Sequence, residues 1–234
     1  MEIKIQYKEV LKRLKSLSNP KAVPGMAKYG INTKNTLGIS IPDLRSLAKE
    51  IGKNHSLALR LWASKIHEAR MLASMIDSPK LVAEKQMEDW AKDFDSWDVC
   101  DQCCCNLFDK TDFAHPMAIE WSKRDEEFVK RAGFALMAAL AVHDKKSNDR
   151  RFLKFFPFIK REAKDDRNYV KKAVNWALRG IGKRNLNLNK IAIQTAKEIK
   201  EMDSKIAKWI GSDALKELTS KKIQKRLKNK VIKH

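Results

Sequence analysis

The stretch Asp125-Glu126-Glu127-Phe128-Val129-Lys130-Arg131-Ala132 returns 41 positions later as Asp166-Arg167-Asn168-Tyr169-Val170-Lys171-Lys172-Ala173. Each copy opens on an acid suited to cap a helix, followed by an aromatic ring, Val, two bases and Ala. Each then runs into an apolar helical segment, Gly133–Val142 in the first and Val174–Ile181 in the second. A looser relative lies upstream, where Trp62, Glu68, Ala69 and Leu72 stand in the places of Trp121, Arg131, Ala132 and Ala135. Helix pairs recurring at about 30–45 residues predict an all-α fold, an α-solenoid of HEAT or armadillo type. Two clear copies also fit coincidence between basic amphipathic helices. A solenoid curves, and its concave face is the expected binding surface.

The rest of the chain agrees with a helical reading. Val10, Leu11, Leu14 and Leu17 form one apolar stripe, and Leu44, Leu47, Ala48 and Ile51 another. Helix starts are expected at Ser40-Ile41-Pro42-Asp43, Ser56, Ser78-Pro79, Asp125, Asp203 and Asp213, each a side-chain acceptor ahead of an apolar run. No segment alternates with a period of two between turn residues, so about a dozen helices and no sheet are expected. The 234 residues include only 8 Gly and 6 Pro, too few for the many tight turns of a β-protein. No linker rich in Pro, Gly or Ser divides the chain, so one domain over residues 1–234 is expected. Residues 221–234 differ by being basic without a single acid, and read as a solvated helix end or a phosphate-seeking tail.

Charge narrows the function. Lys and Arg number 49 against 29 Asp and Glu, a net charge of +20, and a field of that sign favours polyanions, nucleic acid first among them. The plainer reading is a lysine-rich soluble protein. No run of about 18 apolar residues exists to span a membrane, and Met1–Tyr7 lacks the apolar core of a signal peptide. A cytoplasmic protein is expected. The four cysteines fall within Cys100-Asp101-Gln102-Cys103-Cys104-Cys105, three of them consecutive. Adjacent thiols on one helix cannot close a zinc tetrahedron, and core packing suits them better. No metal and no cofactor are expected: there is no P-loop, no GxSxG, no GxGxxG, and Met71 interrupts any HExxH after His67-Glu68.

In Ser96-Trp97-Asp98-Val99-Cys100-Asp101, Trp97 and Asp101 stand at i and i+4, neighbours on one helical face. An indole beside a carboxylate suits recognition of a cation, through the ring face and through charge. The same segment also reads as an ordinary helix start, with a core Trp and acids in the first turn. In the second repeat copy, Lys172, Trp176 and Arg179 share a face, which offers an aromatic surface between phosphate-binding cations or simply an amphipathic helix with one buried ring.

An ordered set of motifs resembles the AlkD-like DNA alkylation repair glycosylases over roughly residues 19–182. Asn19-Pro20-Lys21-Ala22 through Tyr29 and Leu37–Arg45 resemble that family's N-terminal signature. Trp97-Asp98-Val99-Cys100-Asp101 is similar to its WDxxD site. Arg131-Ala132 and Lys172–Arg179 resemble its later RA and KAxxWxLR motifs. The resemblance implies HEAT-like repeats holding duplex DNA in a basic concave cleft, and excision of N3- or N7-alkylated purines; a monomer acting on alkylated duplex DNA is expected. It implies Asp101 as the catalytic carboxylate, Trp97 and Trp176 as the faces flanking the lesion, and Arg131 as a phosphate contact. Tyr29, Lys172 and Arg179 match further cleft positions. Ser96 stands where some relatives have a second Trp, and Gly133–Leu140 lacks a base found in some members. A non-catalytic solenoid for altered or branched DNA is therefore the alternative, and a scaffold for acidic proteins a third.

Overall fold

A computed structural model describes residues 2–232, with side chains from Gln6 to Asn229. Met1, Lys233 and His234, the ends of the N-terminal segment and of the basic run read above, lie outside the described residues. Two compact units divide at Thr111. The first contains α1 (Glu2–Ser16), α2 (Val23–Lys28), α3 (Ile41–Ile51), α4 (His55–Ala63), α5 (His67–Ile76), α6 (Glu84–Lys92) and α7 (Trp97–Asn106). The second contains α8 (Ala114–Trp121), α9 (Glu127–His143), α10 (Asp149–Leu153), α11 (Phe156–Arg161), α12 (Asn168–Gly182), α13 (Leu186–Lys200), α14 (Lys205–Leu218) and α15 (Lys221–Ile232). No strand occurs among the described residues.

Several helices are shorter than the sequence suggests, and the cause is local. The run after Asn148 breaks in two because Pro157 lacks an N–H and must sit in a first turn, so α10 stops and α11 starts just ahead of it. The caps also shift. Ser40 accepts from the Asp43 amide as expected, whereas α4 is capped by Asn54 rather than Ser56, and α14 by Ser204 rather than Asp203. Ser78-Pro79 starts only a single 3-10 turn, and Asp213 lies inside α14. Asp125 and Asp166 each fall just ahead of the residue that starts the helix, Glu126 and Arg167. Arg167 instead ties the two repeat copies together, donating to the carbonyl of Asp125 at 2.5 Å.

The repeats are helix pairs. In the first unit α4 packs on α5, and α5 lies between α3 and α7. In the second, α8 packs on α9, α9 on α12, and α12 on both α13 and α14. Trp62, Trp90 and Trp121 occupy the last turns of α4, α6 and α8, all buried, and the first two stack face to face with centroids 4.0 Å apart. This recurrence of a buried indole near the end of α4, α6 and α8 is the core register behind the looser upstream copy. Of the first apolar stripe, Val10 and Leu14 are buried while Leu17 is exposed, because α1 ends at Ser16.

Candidate nucleic-acid interface

The candidate site residues other than Tyr29 lie on three helices: Trp97 and Asp101 on α7, Arg131 on α9, and Lys172, Trp176 and Arg179 on α12. Their placement starts from the loop between α2 and α3. Gly38 holds φ at +77°, and a Cβ there would strike the Asn19 carbonyl oxygen, so the tight approach requires glycine. Glu68, buried on α5, then gathers three successive amides of that loop: Leu37 at 2.8 Å, Gly38 at 2.7 Å and Ile39 at 3.3 Å. Further back, the Asn32 amide donates to Ser96 Oγ at 3.2 Å and its side chain to Asp95 at 2.9 Å. The loop that follows Tyr29 is thereby fastened to the head of α7.

At that head, Asp98 accepts from Ser96 Oγ at 2.6 Å and from the Val99 amide at 3.0 Å, while its other oxygen lies 2.8 Å from His67 Nε2. Burial alone would raise the Asp98 carboxyl. The His67 ring, the Ser96 hydroxyl and the Val99 N–H outweigh it and hold the acid below its ordinary range. Trp97, the first residue of α7, is half-buried and donates its indole N–H to the Tyr29 carbonyl at 3.1 Å. Tyr29 itself is 79% exposed. Asp101 follows one turn beyond Trp97, also half-buried. Tyr29, Trp97 and Asp101 thus belong to one small region of the first unit.

The cysteines of α7 pack into the core alongside this region. Cys100, Cys103 and Cys104 are buried and Cys105 is partly so. Burial pushes the Cys103, Cys104 and Cys105 thiols up, the last to about 12. Among the described residues no group of His, Cys, Asp and Glu is placed to hold a metal ion, and none of the helices is long and apolar enough to cross a membrane.

In the second unit the two repeat copies use their paired bases differently. Lys130 is buried against Glu162 at 2.7 Å, and Arg131, only 5% exposed, donates Nη1 to the Tyr169 carbonyl at the head of α12. Phe128 and Tyr169, the aromatic members of the two copies, stack with centroids 5.3 Å apart. On α12, Lys172 is exposed and Trp176 half-buried. Arg179 pairs with Glu217 at 2.7 Å and lies 3.5 Å from Asp213, while Lys183 takes the other Glu217 oxygen at 2.6 Å. Burial would raise Glu217, but the two cations hold it below its ordinary range.

Sequence reasoning missed Glu68, His67, Asp98 as an acceptor, and the acids of α14. Their signal was spacing: His67 to Asp98 spans 31 residues, and Arg131 to Tyr169, Asn175 to Asp213 and Arg179 to Glu217 each span 38. Each pair is a side chain of one second helix meeting the next.

Comparison with known proteins places this arrangement. A solved structure, described as a new family of proteins related to the HEAT-like repeat DNA glycosylases with affinity for branched DNA structures, superposes with a TM-score of 0.74. The match is at 19% identity and covers 88% of this chain and 93% of that one, so the all-α HEAT-like repeat fold is shared. The uncharacterized proteins Lmo0209 of Listeria monocytogenes and Lin0241 of Listeria innocua are each 24% identical over 136 residues, 56% of this chain. The matched part spans 61% of the length of each of these relatives. The family profile described as DNA alkylation repair enzyme matches residues 10–218, taking in the anchored loop, α7 and the α12 ridge alike. With that match running almost from end to end, the chain belongs to the DNA alkylation repair enzyme family.

Proposed function

We propose that this protein is a DNA glycosylase that removes N3- or N7-alkylated purines from duplex DNA, acting as a monomer in the cytoplasm without metal or cofactor. The observation that carries the reading is the head of α7, where a half-buried carboxylate, Asp101, follows one turn after an indole whose edge is held by the Tyr29 carbonyl. An alkylated purine already bears positive charge, which the Trp97 ring and the Asp101 carboxylate suit. When the bond from C1′ to the purine nitrogen breaks, its electron pair neutralises the base, so no general acid is required. Positive charge passes to the sugar, where the Asp101 carboxylate stabilises it; water then adds to C1′ and passes its proton to that carboxylate, which returns it to solvent. One acid suffices where glycoside hydrolases generally use two.

Lys172 and Arg179 supply phosphate contacts in this reading, and Trp176 a second aromatic face. Arg131 contributes through Tyr169, whose carbonyl it holds at the start of the helix that carries them, and that placement sets its contact with the backbone of the DNA. Release of 3- or 7-methylpurine from alkylated duplex DNA is the test. Wild type should release base, Asp101→Asn should not, and Trp97→Ala should lose more excision than affinity. Equal release by wild type and Asp101→Asn would end the proposal.

A second reading is a non-catalytic protein for branched DNA. It is favoured by the described affinity of the superposed neighbour and by Ser96 standing before Trp97 without a second indole. Tight binding to a four-way junction with no base release would select it.

A further inference from the structure

Of the six tryptophans, three are core residues and Trp97 and Trp176 are half-buried, whereas Trp209 on α14 is 43% exposed, the most open of them. Nearly half of this residue meets solvent, enough to offer part of an indole face to a ligand. Its surroundings say which kind. Lys205 and Lys208 flank it and are exposed, and no acid falls within Lys205–Ser212.

The neighbouring helix adds to this. Asn175 Nδ2 bonds Asp213 at 2.6 Å and Arg179 bonds Glu217, both across the same 38-residue interval, so α12 and α14 run side by side in parallel register. One turn toward their N-termini, that register sets Trp209 level with Lys171 and Lys172. Lys171–Arg179 also contains no acid. The C-terminal halves of the two helices therefore neutralise each other through Asp213 and Glu217, while the N-terminal halves present cations around an open ring.

We propose that Trp209, with Lys172, Lys205 and Lys208, forms a stacking site for an unpaired nucleotide of DNA. The lysines suit the flanking phosphates and the indole face suits a base. A base inside an intact duplex is already stacked on both faces, so the site takes a nucleotide that pairing has released, at a bulge, a branch point or an extruded position. An acidic protein surface would use the lysines but has no planar group to match the ring. This inference rests on the reading of the chain as a DNA-binding protein and adds a class of substrate to it.

The experiment compares two labelled duplexes of one sequence, fully paired and carrying a single unpaired 2-aminopurine, by fluorescence anisotropy and by 2-aminopurine quenching. Wild type should prefer the bulged duplex and quench its reporter. Trp209→Ala should reduce the preference about tenfold and abolish the quenching, and Trp209→Phe, which keeps a ring, should restore most of both. Unchanged preference in Trp209→Ala, or failure of Trp209→Phe to rescue it, overturns the proposal. So does a sedimentation shift showing that Trp209→Ala converts an associated species to monomer, since the ring would then serve a second copy. Base release by the wild type is scored in parallel. A Trp209-dependent preference without release leaves this proposal standing and the glycosylase reading fallen; release without that preference does the reverse.

Discussion

His67 Nε2 and Asp98 Oδ2 lie 2.8 Å apart at the heads of adjacent second helices, with the imidazole fully buried. Asp98 is the residue after Trp97, so this pair, rather than Trp97 itself, fixes how α7 enters the first unit. Asp98→Ala strands three hydrogen-bonding groups at once, His67, Ser96 and the Val99 amide. A loss of about 3–5 kcal/mol in urea unfolding is expected. Asp98→Asn keeps the shape and should lose less stability, yet misplacement of Trp97 and Asp101 should still cut alkylpurine release by about tenfold or more. Normal release from a destabilised variant would confine the pair to folding.

Acid should unfold the protein in two stages. His115 is held below its usual 6.5, chiefly by burial and partly against the pull of Asp144. Unfolded chains thus bind its proton first, and stability declines as pH falls below about 6.5. Asp98 and Asp144 are held below 3.8, burial being outweighed by their hydrogen-bond partners, His67 and Ser96 for one and His115 and Ser147 for the other. Their contribution is complete above about pH 4 and lost below it as the folded forms protonate. Thermal midpoints across pH 3–8 should show both declines, with His115→Gln removing the upper one.

Glu217 neutralises two cations that would otherwise face an anion, Arg179 and Lys183. Glu217→Gln should raise duplex affinity several-fold at about 0.1 M salt and steepen the salt dependence by about one unit for each phosphate gained. Stability should change by less than about 1 kcal/mol, because these groups are partly exposed. An unchanged salt slope would show that Arg179 makes no phosphate contact.

The thiols should be inert. With Cys100, Cys103 and Cys104 buried and Cys105 pushed up to about 12, a disulfide reagent at pH 8 should titrate all four only after unfolding. Rapid reaction of two or more in the native protein would contradict this packing.

What the sequence disclosed and what it hid follow from distance along the chain. The i, i+4 relation of Trp97 and Asp101, the Ser40 cap and the apolar stripes involve neighbours within a turn, and such relations are written in spacing. The repeat of Asp125–Ala132 likewise announced α9 and α12. Caps placed at Ser56 and Asp203 missed by one or two residues because Asn54 and Ser204 competed with equally good chemistry. The pairing of Arg179 with Glu217, and the burial of Arg131 beside Tyr169, depend on which helices become neighbours. A lone cation reads the same whether it awaits a phosphate or already holds a carbonyl.

Glu68 has a consequence of its own. Its carboxylate sits in a ring of three main-chain N–H groups, the way a receptor encloses a small anion, except that host and guest are the same polypeptide. A carboxylate taken away leaves a vacated oxyanion seat beneath the segment that leads from Tyr29. Formate or acetate supplied from solution is of the right size and charge to refill it, so this joint is one that ordinary chemistry, without any further mutation, can mend.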